Sequence, residues 1–143
     1  MKKLFGRSVP LVMLIVISGC TRTNAALMDN SVRLARTCPD GVKIYSSADK
    51  VGSEYQEIAL LNSTGSSGFT SEAGMMKSMR KKAADVGANG IIMDAIKEPS
   101  AGAKVAAAVF GVAGSAERKG KSVAIFVPAD AERVASFCSG QGG

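Results

Sequence analysis

Met75-Met76-Lys77-Ser78-Met79-Arg80-Lys81-Lys82-Ala83-Ala84-Asp85-Val86-Gly87-Ala88-Asn89-Gly90-Ile91-Ile92 is the stretch that decides the fold. Met75, Met76, Met79, Ala83 and Val86 recur at roughly helical spacing, which gathers them on one face of an amphipathic helix as core packing. Upstream, Thr70 or Ser71 can cap the first turn, and Glu72 suits the positive end of the helix dipole. Gly87 stands where a helix wants its left-handed terminating residue. The spacing therefore predicts a helix over 71–86. Ala88 to Ile96 then turns directly into an apolar, β-branched run, the pattern of a strand returning through a core.

Working outward, Ser122-Val123-Ala124-Ile125-Phe126-Val127 reads as a matching strand that stops at Pro128. Ala129 to Cys138 reads as a short helix with Val134 and Phe137 on one side. Ahead of the main helix, Cys38-Pro39-Asp40-Gly41 is a turn followed by the alternating Val42-Lys43-Ile44-Tyr45. A further strand is expected over Tyr55 to Leu61, ending in Asn62-Ser63-Thr64-Gly65-Ser66-Ser67-Gly68, small residues without a packing surface. The order β-β-α-β-β-α predicts an α+β domain over 38–138, a small, mostly antiparallel four-stranded sheet packed on one main helix. Residues 20–37 show no sustained period and are expected to form a tether, with a short helix from Ser31, while 139–143 are expected to be a disordered tail.

Composition narrows the chemistry. The 143 residues contain no His and no Trp, which removes Ser-His and Cys-His nucleophile pairs, an imidazole general base and imidazole metal sites. No catalytic residue, metal site or cofactor is expected, and the chain is read as not an enzyme. Asp94 and Glu98, four apart on an extended strand, would lie about 13 Å from each other, too far for glycoside chemistry. Gly65-Ser66-Ser67-Gly68 precedes a helix but lacks the Lys-Ser/Thr ending of a phosphate loop.

Residues 1–19 have the layout of an export signal: Lys2, Lys3 and Arg7, then an apolar run from Val9 to Ile17 interrupted by Pro10, then Ser18 and Gly19. The run is too short for a permanent transmembrane helix. Its removal leaves 124 residues and takes away three of the 18 Lys and Arg but none of the 12 Asp and Glu, so the net charge falls from +6 to +3. The cluster Lys77, Arg80, Lys81 and Lys82 is then better read as a solvated helix face than as a nucleic-acid or anionic-lipid patch, and no nucleic-acid partner is expected.

Ile17-Ser18-Gly19-Cys20 resembles the lipobox of bacterial lipoproteins. That resemblance implies diacylglycerol on the Cys20 thiol, cleavage before Cys20 and acylation of the new amino group, palmitate being such an acyl group. Several chains on one residue give stable membrane attachment. In the lipoproteins this resembles, Asp after the lipidated Cys commonly favours inner-membrane retention. Thr21 stands there, so the outer membrane is the expected location, with the domain in the periplasm. Assigning Cys20 to lipid leaves Cys38 and Cys138 of the three Cys, a pair able to oxidise outside the cytoplasm, the alternative being two thiols.

Val42-Lys43-Ile44-Tyr45, the stretch around Tyr55-Gln56-Glu57-Ile58-Ala59, the helix end Lys82 to Ile92 and Ala124-Ile125-Phe126-Val127 together resemble an uncharacterised family of small bacterial lipoproteins. Their core is similar to that of the outer-membrane lipoprotein that senses envelope stress for the Rcs phosphorelay. The resemblance covers roughly residues 38–128 and implies a fold and a location. The stress sensor carries disulfides inside its domain and a longer proline-rich, basic stalk. This chain has no Cys between Cys38 and Cys138, so that sensing mechanism does not carry over.

Ala101 to Ala116 is almost wholly small or apolar, yet it connects two strands, where a polar turn is usual. Connections longer than about 12–15 residues are commonly functional or disordered. Three readings stand: a segment folded back on its own domain, one touching membrane or a partner through Val105, Val109 and Phe110, and a mobile loop. The function expected is a lipid-anchored, non-enzymatic structural or interaction module of the cell envelope, attached to the membrane through Cys20 and docking on an envelope protein. The alternative is an envelope stress or ligand sensor acting through a partner.

Overall fold

The computed structural model describes residues 21–31, 33–66, 70–97 and 116–140, with the backbone alone for 94–97. Its strands are β1 (Arg22–Leu27), β2 (Lys43–Tyr45), β3 (Gln56–Ser66), β4 (Gly90–Lys97) and β5 (Glu117–Phe126). The helices are α1 (Glu72–Asp85) and α2 (Ala131–Ser139). The strands form one sheet in the order β1-β3-β5-β4-β2, antiparallel except for the β2–β4 pair, which is parallel.

The α+β class and the main helix agree with the expectation, while the sheet has five strands and is mixed. The added strand is β1, inside the segment expected to be a tether. It pairs with β3 from Arg22↔Thr64 to Leu27↔Ala59. Its alternate residues Thr23, Ala25 and Leu27 are half-buried on the α1 side, a period-2 pattern with too little apolar mass to stand out in the sequence. The same pairing corrects the reading of Asn62 to Ser66 as loop. Asn62, Ser63 and Thr64 are held between β1 and β5 while Gly65 and Ser66 pair with β5, and the Thr23 hydroxyl donates to Ser63 Oγ at 3.0 Å with Ser78 Oγ of α1 2.6 Å from it. Small side chains there let α1 approach the sheet, and the hydroxyls satisfy one another where apolar mass is missing.

On one face of the sheet lies α1, whose Met75 and Met79 are 0 % exposed and whose Ala83 and Ala84 are also buried. Met79, Ala83 and Ala84 pack against Ile58, Ala59, Leu61, Ile91 and Ala124. Ser71 caps the helix, its Oγ accepting from the Gly74 N–H at 3.1 Å. Gly87 ends it at φ +82°, and a Cβ there would stand 2.4 Å from Leu34 Cβ and 2.8 Å from the Ala35 carbonyl. Gly87 is thus required twice, by the left-handed turn and by the chain that crosses it. Asn89 completes the junction. Its amide donates to the Val127 carbonyl at 2.8 Å and its carbonyl accepts from the Val127 N–H at 2.7 Å, while its backbone bonds Ile125 and Lys43.

The opposite face carries no α-helix among the described residues, only the single 3-10 turn Ala48–Lys50 that leads into Val51. Val51, Ile125 and Val127, with Tyr45, Tyr55, Ile92 and Val123 around them, cover only the half nearer the C-terminal end of β5.

Candidate functional site: the disulfide and its apolar cleft

Cys38 and Cys138 form a disulfide, with Cα atoms 5.5 Å apart across 100 residues of sequence. Pro39 fixes the turn Pro39–Gly41 after Cys38, and α2 brings Cys138 to it. The Cys38 N–H donates to Cys138 Sγ at 3.1 Å. Gly41 lies beneath the bridge: a Cβ on it would be 3.0 Å from Val134 Cγ1 and within 3.3 Å of both sulfurs. Val134 is the buried residue of α2, whereas Phe137, expected on its packed side, is 45 % exposed.

Beside the bridge is a mainly apolar cavity of about 290 Å³, lined by Leu34, Gly87, Phe126, Val134 and Cys138 among others. Its buried polar wall, Asn89, has both amide atoms engaged with Val127. Arg36 at its rim reaches Asp85 at 3.3 Å. Such a cleft can take a small apolar group. It offers no nucleophile and base in contact, and no group of three or more His, Cys, Asp or Glu able to hold a metal is present among the described residues.

Nearby, Asp130 accepts from Lys43 Nζ at 2.8 Å and pairs with Arg133 at 3.3 Å. The Lys43 hydrogen bond, with help from Arg133, holds its carboxyl below the usual range against the opposing effect of burial. This triad ties β2 to the start of α2 and is structural in its geometry.

Along the β1 side of α1, Thr21, Arg22, Ser78, Lys81 and Asp85 border a polar cleft. Of the basic cluster on α1, Lys77 and Lys81 are exposed, while Arg80 and Lys82 are half-buried. Cys20, proposed from sequence as the lipid site, and Val105, Val109 and Phe110, proposed as a contact, lie outside the described residues, as do residues 1–19 and 141–143. No helix of the described residues is long and apolar enough to cross a membrane.

No protein-family model matches the chain, and no curated protein matches it. Among solved structures, it is similar to the crystal structure of a Francisella virulence factor, FvfA, with a TM-score of 0.53 and 16 % identity over 73 % of this chain and 96 % of that one. At this identity the likeness speaks for the fold alone.

Proposed function

We propose that the chain is a lipid-anchored, non-enzymatic interaction module of the bacterial cell envelope, acylated on Cys20, held at the outer membrane with its domain in the periplasm, and docking on another envelope component. The observation that carries this reading is the Cys38–Cys138 disulfide. It accounts for two of the three Cys and suits an oxidising compartment, and it leaves Cys20 as the unpaired thiol at the end of a signal-like sequence. The short reach from Cys20 to β1 supports it further, since a strand beginning at Arg22 holds the domain close to the membrane.

The test is incorporation of a labelled fatty acid in cells, followed by membrane fractionation. Wild-type protein is expected to take up label and to fractionate with the outer membrane. Cys20→Ser is expected to accumulate as an unlabelled, uncleaved precursor. Normal labelling of that variant would overturn the acylation, and recovery only in the inner membrane would overturn the location.

The alternative, a stress or ligand sensor, is favoured by one feature: the apolar cleft is lined by Cys138, so an occupant there would touch the bridge. That reading requires the bridge to open under mild reductant in the folded protein.

A further inference from the structure

The register of the sheet places four chain ends together. Arg22 at the start of β1 pairs with Thr64 near the end of β3, Ser66 at the end of β3 pairs with Glu117 at the start of β5, and Lys97 at the end of β4 pairs with Lys119. The sheet end adjoining Cys20 is therefore also the end from which residues 98–115, with their apolar composition, leave and return.

On the face away from α1, side chains of the central strands repeat in rows. The row nearest this end runs Arg22, Thr64, Lys119, with Lys97 as the next register partner. The following row runs Asn24, Asn62, Lys121. The row after that is apolar: Ala26, Leu60, Val123 and Ile92, with Leu60 46 % exposed. Arg22, Lys119 and Lys121 are all exposed. Glu117 lies 3.8 Å from Lys119, a solvent-exposed pair of little energetic weight. Arg22 on β1 and Lys119 on β5 flank Thr64 of β3 in one row, and Lys121 follows Lys119 two residues along β5, so the three cations share one face and give it a positive charge.

We infer that this half of the open sheet face, carried by Arg22, Lys119 and Lys121, lies against anionic lipid headgroups of the bilayer that holds the acylated Cys20. The inference rests on the acylation proposed above and deepens it by naming the surface that meets the membrane. Charge complementarity supplies one argument. Reach supplies the other: only Thr21 separates Cys20 from β1, so Arg22 cannot leave the headgroup layer while the acyl chains stay inserted. Each cation near an anionic surface strengthens attachment about fivefold, and the effect fades beyond a Debye length.

The test is an amine-acetylation footprint, read by mass spectrometry, of the acylated protein in vesicles of phosphatidylcholine alone and of phosphatidylcholine with phosphatidylglycerol. Lys50, exposed beside Val51 at the opposite end of the sheet, is the internal reference. The expected result is several-fold slower reaction of Lys119 and Lys121 in the anionic vesicles, with Lys50 unchanged and the protection lost at high salt. Arg22→Glu is expected to restore the reactivity of Lys119. Equal rates in the two vesicles would overturn the inference and leave a polypeptide as the occupant of this face. So would equal slowing of Lys50. The mass of the N-terminal peptide separates the two failures: an unacylated Cys20 removes both readings, whereas an acylated protein without protection removes only this one.

Discussion

Asn89 and Gly87 show how two side-chain choices set the meeting of three elements. The Asn89 amide does for Val127 what a neighbouring strand would do, giving one donor and one acceptor to a backbone that has just left β5. Replacing it with Ala leaves a buried N–H and a buried carbonyl unpaired, and each such orphan costs about 1–3 kcal/mol. Asn89→Ala is thus expected to lower unfolding free energy by about 2–6 kcal/mol, measured by urea denaturation. Gly87→Ala should cost at least about 2 kcal/mol, since a left-handed Ala is strained by about 1–2 kcal/mol before the clash with Leu34 and Ala35 is counted. If Gly87→Ala were neutral, the close passage of residues 34–35 over the helix end would be wrong.

At the scale of elements, β1 is the feature that most changes how the chain is understood, because it turns a supposed tether into the edge of the sheet. Met28 N–H donates to the Ile58 carbonyl at 2.9 Å, so by antiparallel alternation Asn24 and Ala26 also bond to β3, while Ala25 and Leu27 present their backbone to the free edge. Amide hydrogen exchange should therefore alternate, with Ala26 and Met28 protected and Ala25 and Leu27 exchanging faster. Uniform fast exchange over 22–28 would restore the tether. The helix over 71–86 was legible because methionines, cap and Gly87 all agree on one element. The strand β1 was not, since Thr23, Ala25 and Leu27 alternate with too little side-chain volume, and Asn62 to Ser66 look like a loop until β5, and β1 as far as Thr64, are present to pair with them. The disulfide was legible from cysteine parity. The apolar cleft was not, because it is built from residues 34–37, 87, 126 and 131–138, which no local pattern joins.

Over the whole molecule the two ends of the sheet are unlike. One adjoins Cys20 and the 98–115 connection, and the other is closed by the covalent bridge between the Pro39–Gly41 turn and α2. The helix α2 has nine residues, too few to hold itself in water, and Val134 is its buried residue. Its place on the domain thus depends on Val134, on the Asp130 pairs at its start and on the disulfide at its end. For a bridge spanning 100 residues the chain-entropy model gives about 4.7 kcal/mol, and removal of such bridges commonly costs about 2–5 kcal/mol. The variant carrying Cys38→Ser and Cys138→Ser is expected to lose stability in this range while α1 and the sheet persist, since Met75, Met79, Leu61 and Ile91 are buried elsewhere. The first sign should be faster amide exchange across α2 alone. A variant with unchanged stability and unchanged α2 exchange would show that Val134 and Asp130 suffice. The bridge would then be free to open and close without unfolding the domain, the one condition under which a sensing role gains physical ground.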